Sequence, residues 1–458
     1  MGSITEWMSS PRPTIIYGAG TQASYVYQYC ARTKKKCIAI MTTSATKRLA
    51  LPDETVLPHA FPDTYEGDKS TVDIIIALGG GTDEVRKVLE TNGYPNVYWS
   101  ENWKEGNKFL YEGNIASYKF CEQMAKFHIV FDENLLDETI HLCCNYPGRP
   151  AIKFGKTPEE TFNRLFATRA RCIAEYVTHE SDGTLSTNFC CTTCEQLSKR
   201  DSLWHYAPSV TIVNINMKPA PCQCKCIYCG DWRYTDSPEN RLAYQKMLDI
   251  LRYGKATGLI AKHAVWMLAS GEITIHPFRK EILNLVRDTN ARFVSNCFLF
   301  DKDIGEILHD NPGAFYNTSI DCGTAETWKK IKQVDNFEKV VSNLHQYAAC
   351  CHDVATQLTL KYIVLPGIND NEKDYRGVFS LMRQIGAKVL VISREIGKLY
   401  KFTESREAMI DGAADLLSYC TINGITADYD VWSFNDIEEI RKRSRQKLQN
   451  EDGKYILT

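Results

Sequence analysis

A chain of 458 residues is too long for one ordinary hydrophobic core, so at least two domains are expected. Its 54 basic and 56 acidic residues leave a net charge of −2, which gives no global field to hold a polyanion and argues against a nucleic-acid partner. Eighteen cysteines, with no export-type start and no apolar run near the roughly 18 residues of a membrane span, predict reduced thiols or metal ligands in a cytoplasmic protein with no membrane association.

The first signals read strand, glycine turn, helix, strand. Thr14, Ile15, Ile16 and Tyr17 form an apolar run, and Gly18, Gly20 and Ala23 follow in the spacing of a dinucleotide fingerprint. The next strand, over 37–41, leads into Thr42 and Thr43, where that fingerprint needs an acidic residue. A further strand over 72–78 ends in Gly79, Gly80 and Gly81 and enters a helix near Thr82. Residues 1–107 are therefore predicted to be a Rossmann-like α/β domain, degenerate as a nucleotide site and used for packing or substrate capture.

Over 108–204 the pattern predicts a helical connector. Thr157, Pro158 and Glu160 supply a capping threonine, a proline at the first helical position and a glutamate at the third. The same segment carries Cys190, Cys191 and Cys194, candidate ligands of a second metal site, joined by Cys224 or left as plain reduced thiols.

From Ser209 onward, strand signals over 210–215, 264–268, 292–295, 316–320, 358–365 and 389–392 alternate with helical stretches. Six βα units in about 190 residues predict an open parallel barrel of the TIM type over 205–402, a partial (βα)6 barrel with its site at the C-terminal strand ends. Residues 403–458 add two helices around a strand-like segment as a C-terminal extension.

The chemistry is concentrated just after the first barrel strand. Cys222, Cys226 and Cys229 lie on one loop, and three soft thiolates so spaced can hold three irons of a [4Fe-4S] cubane, leaving one iron open to a small molecule. Composition alone would produce this triad only about 0.03 times in such a chain. Zinc is the competitor, with Cys224 or a distant group completing a tetrahedron.

Cys222, Cys226 and Cys229, with aromatic Tyr228 before the last cysteine, resemble the signature loop of the radical S-adenosylmethionine superfamily. The resemblance extends over roughly 205–400. Ser270, Gly271 and Glu272 are similar to the family's Gly-Gly-Glu motif, with serine for the first glycine, and would bind the amino group of S-adenosylmethionine. Asn296, Ser319 and Asp321 resemble its contacts to ribose and carboxylate, and Lys361 and Ile363 lie in a segment that looks like its adenine-contacting strand. Read without the resemblance, Glu272 and Asp321 are each also good helix caps.

The resemblance implies electron transfer into the cluster, reductive cleavage of S-adenosylmethionine, and hydrogen abstraction by a 5′-deoxyadenosyl radical. It also implies an electron donor such as flavodoxin or ferredoxin. The expected substrate is a small polar metabolite, a sugar or nucleotide conjugate, met by Arg394 and Glu395 at the end of the sixth strand. The alternatives are a peptide-modifying enzyme, against which stands that peptide-maturing relatives usually carry auxiliary cysteines after the barrel where this chain has only Cys420 beyond Cys351, and a non-catalytic metal-binding or interaction protein.

Overall fold

The computed structural model describes residues 2–43, 57–78, 82–99, 118–131, 135–143, 150–177, 191, 194, 198–200, 207–216, 222–229, 237–269, 271–396, 399–400, 402–450 and 454–456. Gly79, Gly80, Gly81, Cys190 and Ser270 lie outside these residues. The chain divides into two compact units: Met1–Asp132, Asp137–Val213 and Gln245–Ala264 form the first, and Glu133–Leu136, Asn214–Tyr244 and Val265–Thr458 the second.

In the first unit, the strands β1 (Gly2–Ser3), β2 (Thr14–Tyr17), β3 (Cys37–Met41), β4 (His59–Ala60), β5 (Asp73–Ile76) and β6 (Val97–Trp99) form one sheet. Its order is β1-β6-β5-β2-β3-β4 and its pairs are parallel. The order reverses between β2 and β5, the arrangement of a doubly wound α/β sheet. β2 and β5 are buried at all four positions, including Thr14 and Asp73 at their starts, as strands covered on both faces must be. Gly18 has φ +129°, and a Cβ there would stand 2.8 Å from the Ala77 carbonyl, so the turn after β2 requires glycine for close approach as well as for its backbone angle.

The segment predicted to be a helical connector contains strands as well. β7 (Tyr118–Phe120), β8 (His128–Phe131), β9 (Thr139–His141), β10 (Ala151–Lys153) and β11 (Ser198–Arg200) join the helix Pro158–Val177. β8, β9 and β10 pair antiparallel, and β7 pairs antiparallel with β11. Short strands of three or four residues leave too weak a period-2 signal to be read against helical neighbours. The helix itself starts at Pro158 as predicted, with the Glu160 amide donating to Thr157 Oγ1 at 3.1 Å.

The strands β12 (Val210–Asn216), β13 (Ile260–Ala269), β14 (Asn290–Ser295), β15 (Phe315–Ser319), β16 (Leu358–Val364), β17 (Val389–Arg394) and β18 (Thr426–Asp430) follow one another as sheet neighbours. All pairs from β13 to β18 are parallel. The tail predicted as an extension therefore continues the sheet through β18, then closes with the helix Phe434–Asn450.

Alternation sets the two faces of this run. Trp266, Leu268, Phe293, Tyr316, Leu360, Tyr362, Leu390 and Ile392 are fully buried. Helix residues such as Ile282, Ile307, Trp328, Leu344 and Met382 are likewise fully buried, each large apolar side chain contributing roughly 1.5–3 kcal/mol. The intervening positions Met267, Val294, Asn317, Ser319, Lys361 and Ile363 are only partly buried. That second face, and the C-terminal edge where all the parallel strands end, carries the candidate site.

Candidate functional site

Three successive strands end in the same way. Gly271, Cys297 and Asp321 each stand two residues beyond the ends of β13, β14 and β15, and each adopts a left-handed φ, of +91°, +59° and +56°. For cysteine this conformation is unusual, and aspartate tolerates it better. The bend carries each chain sharply off its strand and leaves Glu272, Asn296 and Asp321 along one edge.

Glu272 is fully buried. Its Oε1 accepts from the Thr274 amide at 3.1 Å, the Thr274 hydroxyl at 2.8 Å and the Ser295 hydroxyl at 2.9 Å, and its Oε2 accepts from the Asn296 amide at 2.8 Å. It thus caps the short 3-10 turn Ile273–Ile275, the bland role its position allowed, and at the same time joins β13 to the end of β14. Burial raises its carboxyl above the usual range, with the Asn296 and Thr274 hydrogen bonds opposing.

Asn296 connects this carboxylate to the cysteine loop. Its side-chain amide donates to Gln223 Oε1 at 3.0 Å and lies 3.4 Å from the Cys222 sulfur. The far end of the loop meets the end of β15. The Tyr228 hydroxyl donates to Asp321 Oδ2 at 2.6 Å, and Lys332, buried to 2% exposure, places its ammonium 2.7 Å from that hydroxyl and in an ion pair with Asp321. Asp321 Oδ1 accepts from the Ile363 amide at 2.8 Å, which ties β15 to β16. Thr324, not Asp321, caps the following helix, Ala325–Lys332.

Within the loop, Cys224 is buried, while Cys222 and Cys226 on either side of it in sequence are only partly so. The Cys226 thiol is pulled down to about 6, first by Cys224, against burial, with the Lys332 cation adding to the effect. Cys222 is lowered too, chiefly by Cys224. Both groups are thus biased toward the thiolate, the form that ligates metal. Among the described residues, no group of three or more His, Cys, Asp or Glu is drawn together as a metal centre requires. The donor set nevertheless fits an iron–sulfur cluster in kind: thiolate-biased sulfurs, a loop fixed at both ends, and a buried cation beside one ligand.

Other expected residues stand elsewhere. The Lys361 ammonium pairs with Asp430 of β18. Arg394 donates to the backbone carbonyls of Val431 at 2.8 Å and Glu395 at 3.0 Å, so its guanidinium joins β17 to the end of β18. Glu395 is buried and accepts from the Tyr400 amide at 3.4 Å. Ser319 ends β15 beside Lys361 in the parallel register. In the first unit, Cys191 and Cys194 share a turn, the Cys194 amide donating to the Cys191 carbonyl at 3.0 Å. Cys121, in the same unit, is buried, and burial raises its thiol above the usual range.

Sequence reading passed over Lys332. It follows Ile331 and stands four residues after Trp328, on the buried side of its helix, a position where lysine is rare unless paired. The periodicity held that signal, but its partner did not show until β15 was placed.

No protein-family model matches the chain, and no curated protein does. Solved structures similar to it include radical S-adenosylmethionine enzymes. SuiB of Streptococcus suis bound to S-adenosylmethionine is 12% identical, with a TM-score of 0.36 over 50% of this chain and 51% of that one, about half its length. SuiB bound to its precursor peptide SuiA is 12% identical, with a TM-score of 0.38 over 70% and 75%. TsrM of Kitasatospora setae, a radical S-adenosylmethionine methyltransferase with cobalamin and a [4Fe-4S] cluster bound, is 10% identical, with a TM-score of 0.29 over 84% and 72%.

Proposed function

We propose that this chain is a radical S-adenosylmethionine enzyme whose cluster is held by Cys222, Cys226 and Cys229. One observation carries the reading: the cysteine loop is pinned at the C-terminal edge of a parallel strand run between Glu272–Asn296 on one side and Asp321–Lys332 on the other. When bound there, the cluster and S-adenosylmethionine supply reductive cleavage of a sulfonium and a carbon radical that abstracts hydrogen. The chain's own residues do the rest. Glu272 offers a buried carboxylate to an ammonium, Gly271 leaves room and a backbone carbonyl beside it, and Asn296 and Ser319 bring hydroxyl- and amide-bonding groups to the same edge.

The expected substrate is a small polar metabolite, a sugar or nucleotide conjugate, captured with help from a Rossmann-like N-terminal sheet and reached through a partial TIM-type barrel. Fold-level analogy is the whole support for that substrate class. An electron donor of the flavodoxin or ferredoxin kind would serve the cluster.

Cys224, a fourth thiol on the same loop as Cys222, Cys226 and Cys229, leaves a second reading, a zinc site made of thiolates from this single loop. Anaerobic purification followed by iron, sulfide and zinc analysis separates the two. The enzyme reading expects iron with equimolar sulfide, lost in the Cys222→Ala/Cys226→Ala/Cys229→Ala variant, and 5′-deoxyadenosine released on addition of strong reductant. Zinc without sulfide, and no cofactor cleavage, would overturn it.

A further inference from the structure

Asp321 and Lys332 form an ion pair in which both side chains are almost wholly buried. Burying two charges costs about as much as their attraction returns, so such a pair is weak support for a stabilising role and calls for another. Its surroundings supply one. The last turn of the helix Ala325–Lys332 reaches the cysteine loop three times: the Lys225 amide donates to the Lys332 carbonyl at 3.0 Å, the Ile227 amide donates to the Ile331 carbonyl at 3.0 Å, and the Lys332 ammonium meets the Tyr228 hydroxyl at 2.7 Å. Carbonyls that would otherwise be left without partners at a helix C-terminus are here the docking points of the loop.

The helix end is itself fixed. Asp321 accepts from the Ile363 amide at 2.8 Å, and its carbonyl accepts from Asn369 Nδ2 at 2.7 Å, which fastens it to the strand-end segment after β16. Through Asp321 the position of Lys332, and through Lys332 that of Tyr228, follow from the ends of β15 and β16. The same ammonium meets the loop at Tyr228, two residues beyond Cys226 and one before Cys229.

We propose that Lys332, held by Asp321, is the positioning residue of the cysteine loop: it fixes residues 222–229 against the strand ends and sets a permanent positive charge beside the Cys226 ligand. The part of this inference that concerns the cluster rests on the function proposed above; the part that concerns the loop does not. A cation beside a thiolate-ligated cluster favours the state with one more electron, so removing it moves the reduction potential to more negative values.

The test uses the full chain in four forms: wild type, Lys332→Met, Lys332→Arg, and the double variant Asp321→Asn/Lys332→Met, which leaves no lone buried charge and so guards against simple unfolding. Hydrogen–deuterium exchange on metal-free protein should be faster over 222–229 in Lys332→Met and in the double variant, and should return part of the way toward wild type in Lys332→Arg. On iron-loaded protein, redox titration followed by electron paramagnetic resonance should give a more negative midpoint in both variants that lack the lysine. Wild-type exchange over 222–229 together with a wild-type midpoint in the folded double variant would overturn the inference. A wild-type chain that binds no iron but whose loop loosens in Lys332→Met would remove the enzyme reading and leave the anchor standing.

Discussion

Glu272 shows how one side chain can serve a local turn and a site at once. Its carboxylate accepts from Thr274, Ser295 and the Asn296 amide, so Glu272→Ala strands several donors in a buried position. That substitution should cost about 1–3 kcal/mol of stability, measured by urea unfolding. It should also weaken S-adenosylmethionine binding by tenfold or more with iron content unchanged, since a charge-assisted bond to an ammonium is worth roughly 1.5–3 kcal/mol. Equal affinity in calorimetry would leave Glu272 as a turn cap only. His276, four residues on, is buried between Tyr244 and Phe278, with ring centroids 4.6 Å and 6.3 Å away, and burial pushes its imidazole down to about 4. Its folded pKa lies below the unfolded value of 6.5, so the unfolded chain binds the extra proton between those limits. Stability should therefore fall as pH drops from 6.5 toward 4, by about 3 kcal/mol from this group. Urea midpoints at pH 7 and pH 4.5 should differ less in His276→Phe than in wild type; an unchanged pH slope would mean that the imidazole is not shielded.

At the scale of elements, the helix Ala325–Lys332 is positioned at both ends. Its C-terminus holds the cysteine loop, while its N-terminus is set by Asp374, which accepts from the Gly323 amide at 3.1 Å and from the hydroxyls of Thr324 at 2.9 Å and Thr327 at 2.7 Å. That reach is possible because Gly323 and Gly377 touch backbone to backbone: a Cβ on Gly323 would stand 2.5 Å from the Gly377 Cα and 2.3 Å from the Asp374 carbonyl oxygen. Neither atom is the end of a flexible side chain, so Gly323→Ala must push the helix Glu372–Ile385 away. We expect a loss of about 1–3 kcal/mol in urea unfolding, as overpacking generally costs. The loosening should also reach the cysteine loop and lower the iron retained after desalting. A variant as stable as wild type would show that the two backbones can part without cost.

For the whole molecule, the reading to be tested is hydrogen abstraction from a polar metabolite. With strong reductant alone, 5′-deoxyadenosine should form slowly; with its substrate present, the rate should rise and deuterium from one substrate carbon should appear in that product, read by mass spectrometry. Sugar and nucleotide conjugates are expected to produce this transfer and short peptides to leave it at the background rate. Transfer from a peptide instead would replace the substrate class while leaving the chemistry in place. The thiols of the first unit give a second count at this scale. If Cys190, Cys191 and Cys194 hold a second metal site, the loop triple variant should retain some metal that is lost when these three cysteines are replaced by alanine as well.

Legibility followed the range of the interactions. The βα alternation from β12 to β17, the glycine turn after β2 and the start of the helix at Pro158 were readable because hydrophobic period, glycine and capping residues act within a few positions of one another. Three cysteines on one loop were readable for the same reason. The short strands β7 to β11 and the place of β18 beside β17 were not, because three-residue strands carry little pattern and gain their stability from partners far along the chain. Side-chain roles divided in the same way. Sequence marked Glu272, Asn296 and Asp321 as polar groups at strand ends and Tyr228 as an aromatic on the cysteine loop. Only the tertiary structure decided that Arg394 bonds backbone at Val431, that Lys361 pairs with Asp430, and that Lys332 stands between Asp321 and Tyr228. A buried cation stays charged only where its counterion has been brought to it, and the segment that brings Asp321 to Lys332 is fixed by parallel pairing of β15 with β16, across 42 residues between Asp321 and Ile363.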